Sequence, residues 1–115
     1  MKCVVEYKEN SHIFINSPNP DRAITLYTKT FPNAFDGKTT ISFDVMNASK
    51  FATTIKFFYD FNSTKYIVTI NLQPYEWTNV TTQIGDLSKT TQFGVIFTPS
   101  VKENETYYLD NFVVL

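Results

Sequence analysis

From Thr39 to Met46 the residues alternate, with Ile41, Phe43 and Val45 on one side and Ser42, Asp44 and Met46 on the other. A period of two is the repeat of a pleated strand, and it rules out a helix, whose faces repeat every 3.6 residues. The pattern returns along the chain. Thr53, Ile55, Phe57 and Tyr59 are opposed by Thr54, Lys56, Phe58 and Asp60. Tyr66, Val68, Ile70 and Leu72 are opposed by Lys65, Ile67, Thr69 and Asn71, and Val80, Thr82 and Ile84 form a further set. Nowhere do apolar residues recur at helical spacing over a helix length. The 11 Phe and 7 Tyr, with abundant Thr, Val and Ile, suit pleated surfaces. An all-β fold follows.

Turn chemistry sets the remaining strands. Val4, Val5 and Tyr7 lead through Lys8–Ser11 into His12–Asn16, which reads as a hairpin, and the prolines of Ser17–Asp21 make a loop. Arg22 to Lys29 alternates again, with Tyr27 assigned to the core, as is Tyr59. The connection Phe31–Gly37 holds two Phe, which predicts that it folds back on the core, and Asp36-Gly37 is a strong turn signal. Phe93, Val95 and Phe97 define a late strand. About nine short strands predict one antiparallel β-sandwich, a jelly roll, over residues 1–115. Its expected core is Ile41, Phe43, Val45, Ile55, Phe57, Val68, Ile70, Phe93, Val95 and Phe97.

The closing stretch Tyr107–Leu115 is aromatic and β-branched apart from Asp110-Asn111. It reads as a strand lying between others with both faces buried. An ionised Asp110 in such a place needs a backbone cage, a basic residue or a metal, because an unpaired buried carboxylate costs several kcal/mol.

Ten basic residues against eleven acidic give a net charge of -1, without a basic run, which argues against nucleic acid or an anionic membrane as partner. No stretch approaches the roughly 20 apolar residues of a membrane span. No leader-peptide pattern opens the chain, so Met1 reads as a cytoplasmic start or as the start of an excised segment. The single Cys3 has no partner for an internal disulfide and reads as a small buried hydrophobe. Asn-x-Ser/Thr triplets begin at Asn47, Asn62, Asn79 and Asn104, as chance supplies in a chain rich in Asn and Thr. His12 is the only histidine and reads as a surface imidazole. With no nucleophile motif, phosphate-cradling loop or zinc cluster, the chain does not read as an enzyme. The one carboxylate pair worth weighing for acid–base work is Asp44 with Asp60, if they share a face.

Four pieces of sequence carry a family resemblance: Gly37–Val45, Glu76–Val80, Gln92–Phe97 and Tyr107–Val113. In order and spacing they resemble the jelly-roll carbohydrate-binding modules with a galactose-binding-domain-like fold that are attached to bacterial glycoside hydrolases. The resemblance implies a non-catalytic, extracellular or cell-surface module that binds a polysaccharide or oligosaccharide and works beside an appended catalytic domain. It also implies a structural calcium at Asp110, with Glu6 as a second ligand, although residues 1–10 depart from the family's first-strand pattern. Calcium accepts mixed carboxylate and carbonyl oxygens.

A sugar site needs flat apolar surface beside planar polar groups. One candidate is a polar face shared by the three central strands, with Ser42, Asp44, Lys56, Phe58, Asp60, Thr69 and Asn71, joined by Gln92. The other is Tyr75 with Trp77 at a loop-to-strand junction, although the resemblance assigns Trp77 to the core. The competing class is a protein-interaction or surface-structural domain of the adhesin or phage-particle type, because a fold does not fix a function.

Overall fold

The computed structural model describes residues 2–5 (backbone only), 23–97 and 105–115. Eight strands lie within them: β1 (Lys2–Val5), β2 (Ala23–Tyr27), β3 (Thr40–Asn47), β4 (Thr53–Phe61), β5 (Thr64–Leu72), β6 (Trp77–Gln83), β7 (Gln92–Phe97) and β8 (Glu105–Val114). They form two antiparallel four-stranded sheets, ordered β1-β8-β3-β6 and β2-β7-β4-β5. Consecutive strands such as β3 and β4 fall in opposite layers, which is the double Greek-key order of a jelly roll. The expected strand His12–Asn16 lies outside the described residues.

Alternation decides which side chains meet between the layers. Ile41, Phe43 and Val45 of β3 face Ile55 and Phe57 of β4 and Phe93, Val95 and Phe97 of β7, and all are buried. Each fully buried side chain of this size contributes about 1.5–3 kcal/mol. Phe43 lies 5.6 Å from Phe57, and Phe97 lies 4.9 Å from Tyr107 of β8. The buried Tyr107 hydroxyl donates to Glu105 at 2.8 Å, and burial, reinforced by that carboxylate, pushes the phenol pKa well above its usual value.

Asn47 ties down one end of the sandwich. Its amide donates to the Phe51 carbonyl at 2.7 Å, its Oδ1 accepts from the Ser49 N–H at 2.9 Å, and its carbonyl accepts from Tyr75 N–H at 2.7 Å. A buried amide with its groups engaged is stable in a core that would otherwise penalise it. The sequon at Asn47 is therefore a structural clasp.

Several assignments made from alternation need correction. Val68, expected in the core, is exposed, because β5 is an edge strand. Tyr27 is exposed because in β2 it pairs across from Gln92, on the outer parity, while Ile24 and Leu26 pack inward. In the Phe31–Gly37 connection Phe35 is buried, but Phe31 remains exposed. Tyr59 packs partly buried against the core and Ile70 likewise.

The closing strand is the largest departure. β8 does lie between β1 and β3, but β1 pairs only with Glu105–Tyr108. Beyond that point β8 has a neighbour on one side among the described residues, and Asp110 to Val113 are exposed. A bulge marks the change: Asp44 pairs with Asp110, whereas Ser42 pairs with Val113. Asn111 takes up the extra residue in the left-handed region, at φ 55, as Asn tolerates better than most residues. Phe112 is thereby returned to the inner side, stacked on Phe43 at 4.9 Å with an interplanar angle of 8°.

Candidate functional site on the outer face of the β1-β8-β3-β6 sheet

Pairing across this sheet sets its outward residues in rows. Trp77, Met46 and Tyr108 form one row, Asn79, Asp44 and Asp110 the next, and Thr81, Ser42 and Val113 the third. Successive rows on one face are roughly 6.8 Å apart, two residues of strand rise, so an aromatic row and a polar row lie side by side.

The polar rows are hydrogen-bonded into a ladder. Asn79 Nδ2 donates to Asp44 Oδ1 at 2.9 Å and to Ser42 Oγ at 3.2 Å, and Asn111 Nδ2 donates to Asp44 Oδ2 at 2.8 Å. The Thr81 hydroxyl donates to Asn79 Oδ1 at 2.6 Å and lies 2.9 Å from Ser42 Oγ. The amides of Asn111 and then Asn79 hold the Asp44 carboxyl below the usual aspartate range, so it is charged at neutral pH. Asp110 stands beside it, its Oδ1 accepting from the Asn111 N–H at 2.8 Å.

Trp77 stands at the end of this ladder, 54% exposed. Its assignment to the core is overturned by register: it pairs with Met46, and Val80, three residues on, is the buried member of β6. Tyr75, in the turn that leads into Trp77, is also exposed and holds φ 57. Asp44 and Trp77 thus share one face of the sandwich, with Tyr75 exposed in the turn that leads into it.

The other expected ligand residues do not join them. Lys56, Phe58, Asp60, Asn71 and Gln92 lie on the outward parity of the β2-β7-β4-β5 sheet, the opposite face of the sandwich. The expectation of one polar face across three central strands fails because β3 enters one sheet while β4 and β5 enter the other. For the same reason Asp44 and Asp60 do not form an acid–base pair. Phe58, read as the outward aromatic of a binding face, is only 5% exposed. It lies over Gly94, its cross-strand partner, with the Lys65 ammonium 5.5 Å from the ring centre. Asp60 accepts from the N–H groups of Thr91 at 2.6 Å and Gln92 at 3.3 Å and from the Thr91 hydroxyl. Burial alone would raise its pKa, but these bonds outweigh it and hold the carboxyl low. Asn71 accepts from the Thr54 hydroxyl at 3.2 Å.

Sequence reasoning missed Asn79, Asn111, Met46, Tyr108 and Thr81 as parts of the site. A signal for two of them was present: with Val80 inward, Trp77, Asn79 and Thr81 share the opposite parity.

For calcium, the described residues supply two neighbouring carboxylates, Asp110 and Asp44, and no group of three or more metal-binding side chains occurs among them. Both Asp44 oxygens already accept amide hydrogens. That falls short of the six to eight oxygens calcium takes. Glu6 lies outside the described residues.

Compared with known proteins, the chain matches no family model and no curated protein closely enough to count as a relative.

Proposed function

We propose that this is a non-catalytic module that binds a polysaccharide through the outer face of the β1-β8-β3-β6 sheet, and that it serves an appended catalytic domain outside the cell. The observation that supports this reading is the exposed Trp77 next to the Asp44, Asn79 and Asn111 ladder. An aromatic ring offers an apolar plane for the C–H face of a sugar, and the carboxylate and amides offer planar acceptors and donors for vicinal hydroxyls. A flat face buries little ligand, so binding is weak, on the order of micromolar to millimolar. Affinity electrophoresis against β-glucans, xylans, mannans and pectins tests it: one polymer retards the protein, and retardation is lost in both Trp77→Ala and Asp44→Ala but kept in Phe58→Ala. No retardation by any polymer overturns it.

A structural calcium at Asp110 belongs to the same reading and requires further oxygens from Glu6 or its neighbours. It demands that EDTA lower the Tm of the wild type but not of Asp110→Ala, since an ion bound only by the folded chain stabilises by linkage. Equal melting with and without EDTA removes it.

The interaction-domain reading is favoured by a different observation, the consecutive exposed residues Tyr66, Ile67 and Val68 on β5. Exposed apolar patches point to protein contacts.

A further inference from the structure

We propose that β5 is a self-pairing edge through which two copies of this chain join their β2-β7-β4-β5 sheets into one continuous sheet. Among the described residues β5 ends the order of its sheet, and of its nine residues only Ile70 and Leu72 are withdrawn from solvent. Tyr66 is 44%, Ile67 54% and Val68 39% exposed. Both faces of the strand are therefore apolar at its middle. Natural edge strands are guarded by charges, prolines, bulges or shortness. β5 has one Lys, at its beginning, no Pro, and an uninterrupted register with β4 from Thr53↔Leu72 to Phe61↔Thr64.

The hydrogen-bonding parity of the strand selects the partner. Asn62 and Ser63, at φ 51 and 66, form a two-residue turn closed by the Phe61–Thr64 pair. In such a hairpin the closing pair exchanges hydrogen bonds, and every second pair after it does the same. Thr64, Tyr66, Val68, Ile70 and Leu72 therefore turn their N–H and C=O groups toward β4. Lys65, Ile67, Thr69 and Asn71 turn theirs to the open side.

A second β5 running antiparallel about a two-fold axis at Val68 sets Lys65 opposite Asn71 and Ile67 opposite Thr69. Every open residue then has a partner, giving about eight hydrogen bonds, two per pair. Centring on Ile67 instead leaves Asn71 unmatched. In the Val68 register the Lys65 ammoniums meet amides and not each other, so no like charges oppose. Val68 meets its own copy, and Tyr66, already stacked on Tyr59 at 5.2 Å, meets Ile70 of the other copy. A strand that is its own complement in hydrogen bonding, charge and side-chain character fits a second copy of itself. The paired edge is roughly 30 Å long, less contact than a permanent dimer uses, so the association is weak and concentration-dependent.

Sedimentation velocity from about 10 µM to about 1 mM tests this, in a Cys3→Ser background, with a dimer growing across the range. Thr69→Pro removes an N–H that only the second copy uses and lowers the association constant at least about tenfold. Ile67→Lys, at an exposed position, does the same and keeps the test alive if the proline variant fails to fold. Under mild oxidant V68C forms an interchain disulfide, because Val68 faces itself in a close non-hydrogen-bonded pair, while N71C does not. A protein monomeric throughout overturns the proposal and leaves the edge to an extended segment of another protein. A dimer indifferent to both edge substitutions, or N71C cross-linking as fast as V68C, also overturns it.

Discussion

On the outer face of the β1-β8-β3-β6 sheet an aromatic side chain, Trp77, stands in solvent beside an engaged but accessible carboxylate. On the outer face of the β2-β7-β4-β5 sheet the equivalent pieces differ: Phe58 is buried, and Asp60, partly exposed like Asp44, is engaged by the backbone of the next strand. The cross-strand neighbours account for the difference. Phe58 has Gly94 opposite it and lies over bare backbone, whereas the residue opposite Trp77 is Met46, which carries a side chain. Asp60 is held by backbone N–H groups at the entry to β7, while Asp44 is held by side-chain amides that solvent reaches. An outward direction does not make a site. Availability depends on what the neighbouring strand puts alongside.

The sharpest way to break this contrast is Gly94→Ala. A Cβ there collides with the Ile24 carbonyl oxygen and falls 2.8 Å from a Phe58 ring carbon. Backbone cannot yield as a flexible side chain does, so the expected loss is about 3 kcal/mol or more, read from a urea melt. Asp60→Ala comes next. It strips two backbone N–H groups of their acceptor and costs about 1 kcal/mol, less than a buried bond because solvent is near. Its folded pKa lies below the unfolded value, so this stabilisation is full above an ordinary aspartate pKa of about 4 and is lost as pH falls through the lower folded value. Urea midpoints of wild type and Asp60→Ala therefore differ at pH 7 and converge in acid. Trp77→Ala is expected to be the mildest for stability, within about 0.5 kcal/mol, while abolishing glycan retardation. A large drop in Tm instead makes Trp77 a packing residue and removes the contrast.

The inner faces are legible in the sequence because alternation states them outright: Ile41, Phe43, Val45, Ile55 and Phe57 are buried as their parity demands. Parity says which residues share a strand face, not which strands share a sheet. Pairing Asp44 with Asp60 assumes that strands adjacent in sequence are adjacent in space, and the crossing between layers after Asn47 undoes that. Phe58 carries no local mark of burial; its mark is Gly94, distant in the chain, a glycine inside an apolar strand, which signals close approach. The exposure of Asp110 is illegible because the pattern of β8 gives no notice that β1 ends at Val5. It depends on the length of a neighbouring strand.

The pairing of β1 with β8 also bears on how the chain acquires its fold during synthesis. The β4–β5 hairpin is local, joined by a two-residue turn, and both its strands are made once Leu72 is added. β3 gains one neighbour with β6, but its other flank and the whole of β1 wait for Glu105–Val114. Ribosomes add roughly 5–20 residues per second, so for some seconds β1 and one flank of β3 lack their native partner. A topology that joins early and late strands folds slowly for the same reason. All of β5 is made before that interval begins, so its sheet edge precedes the completion of the opposite sheet.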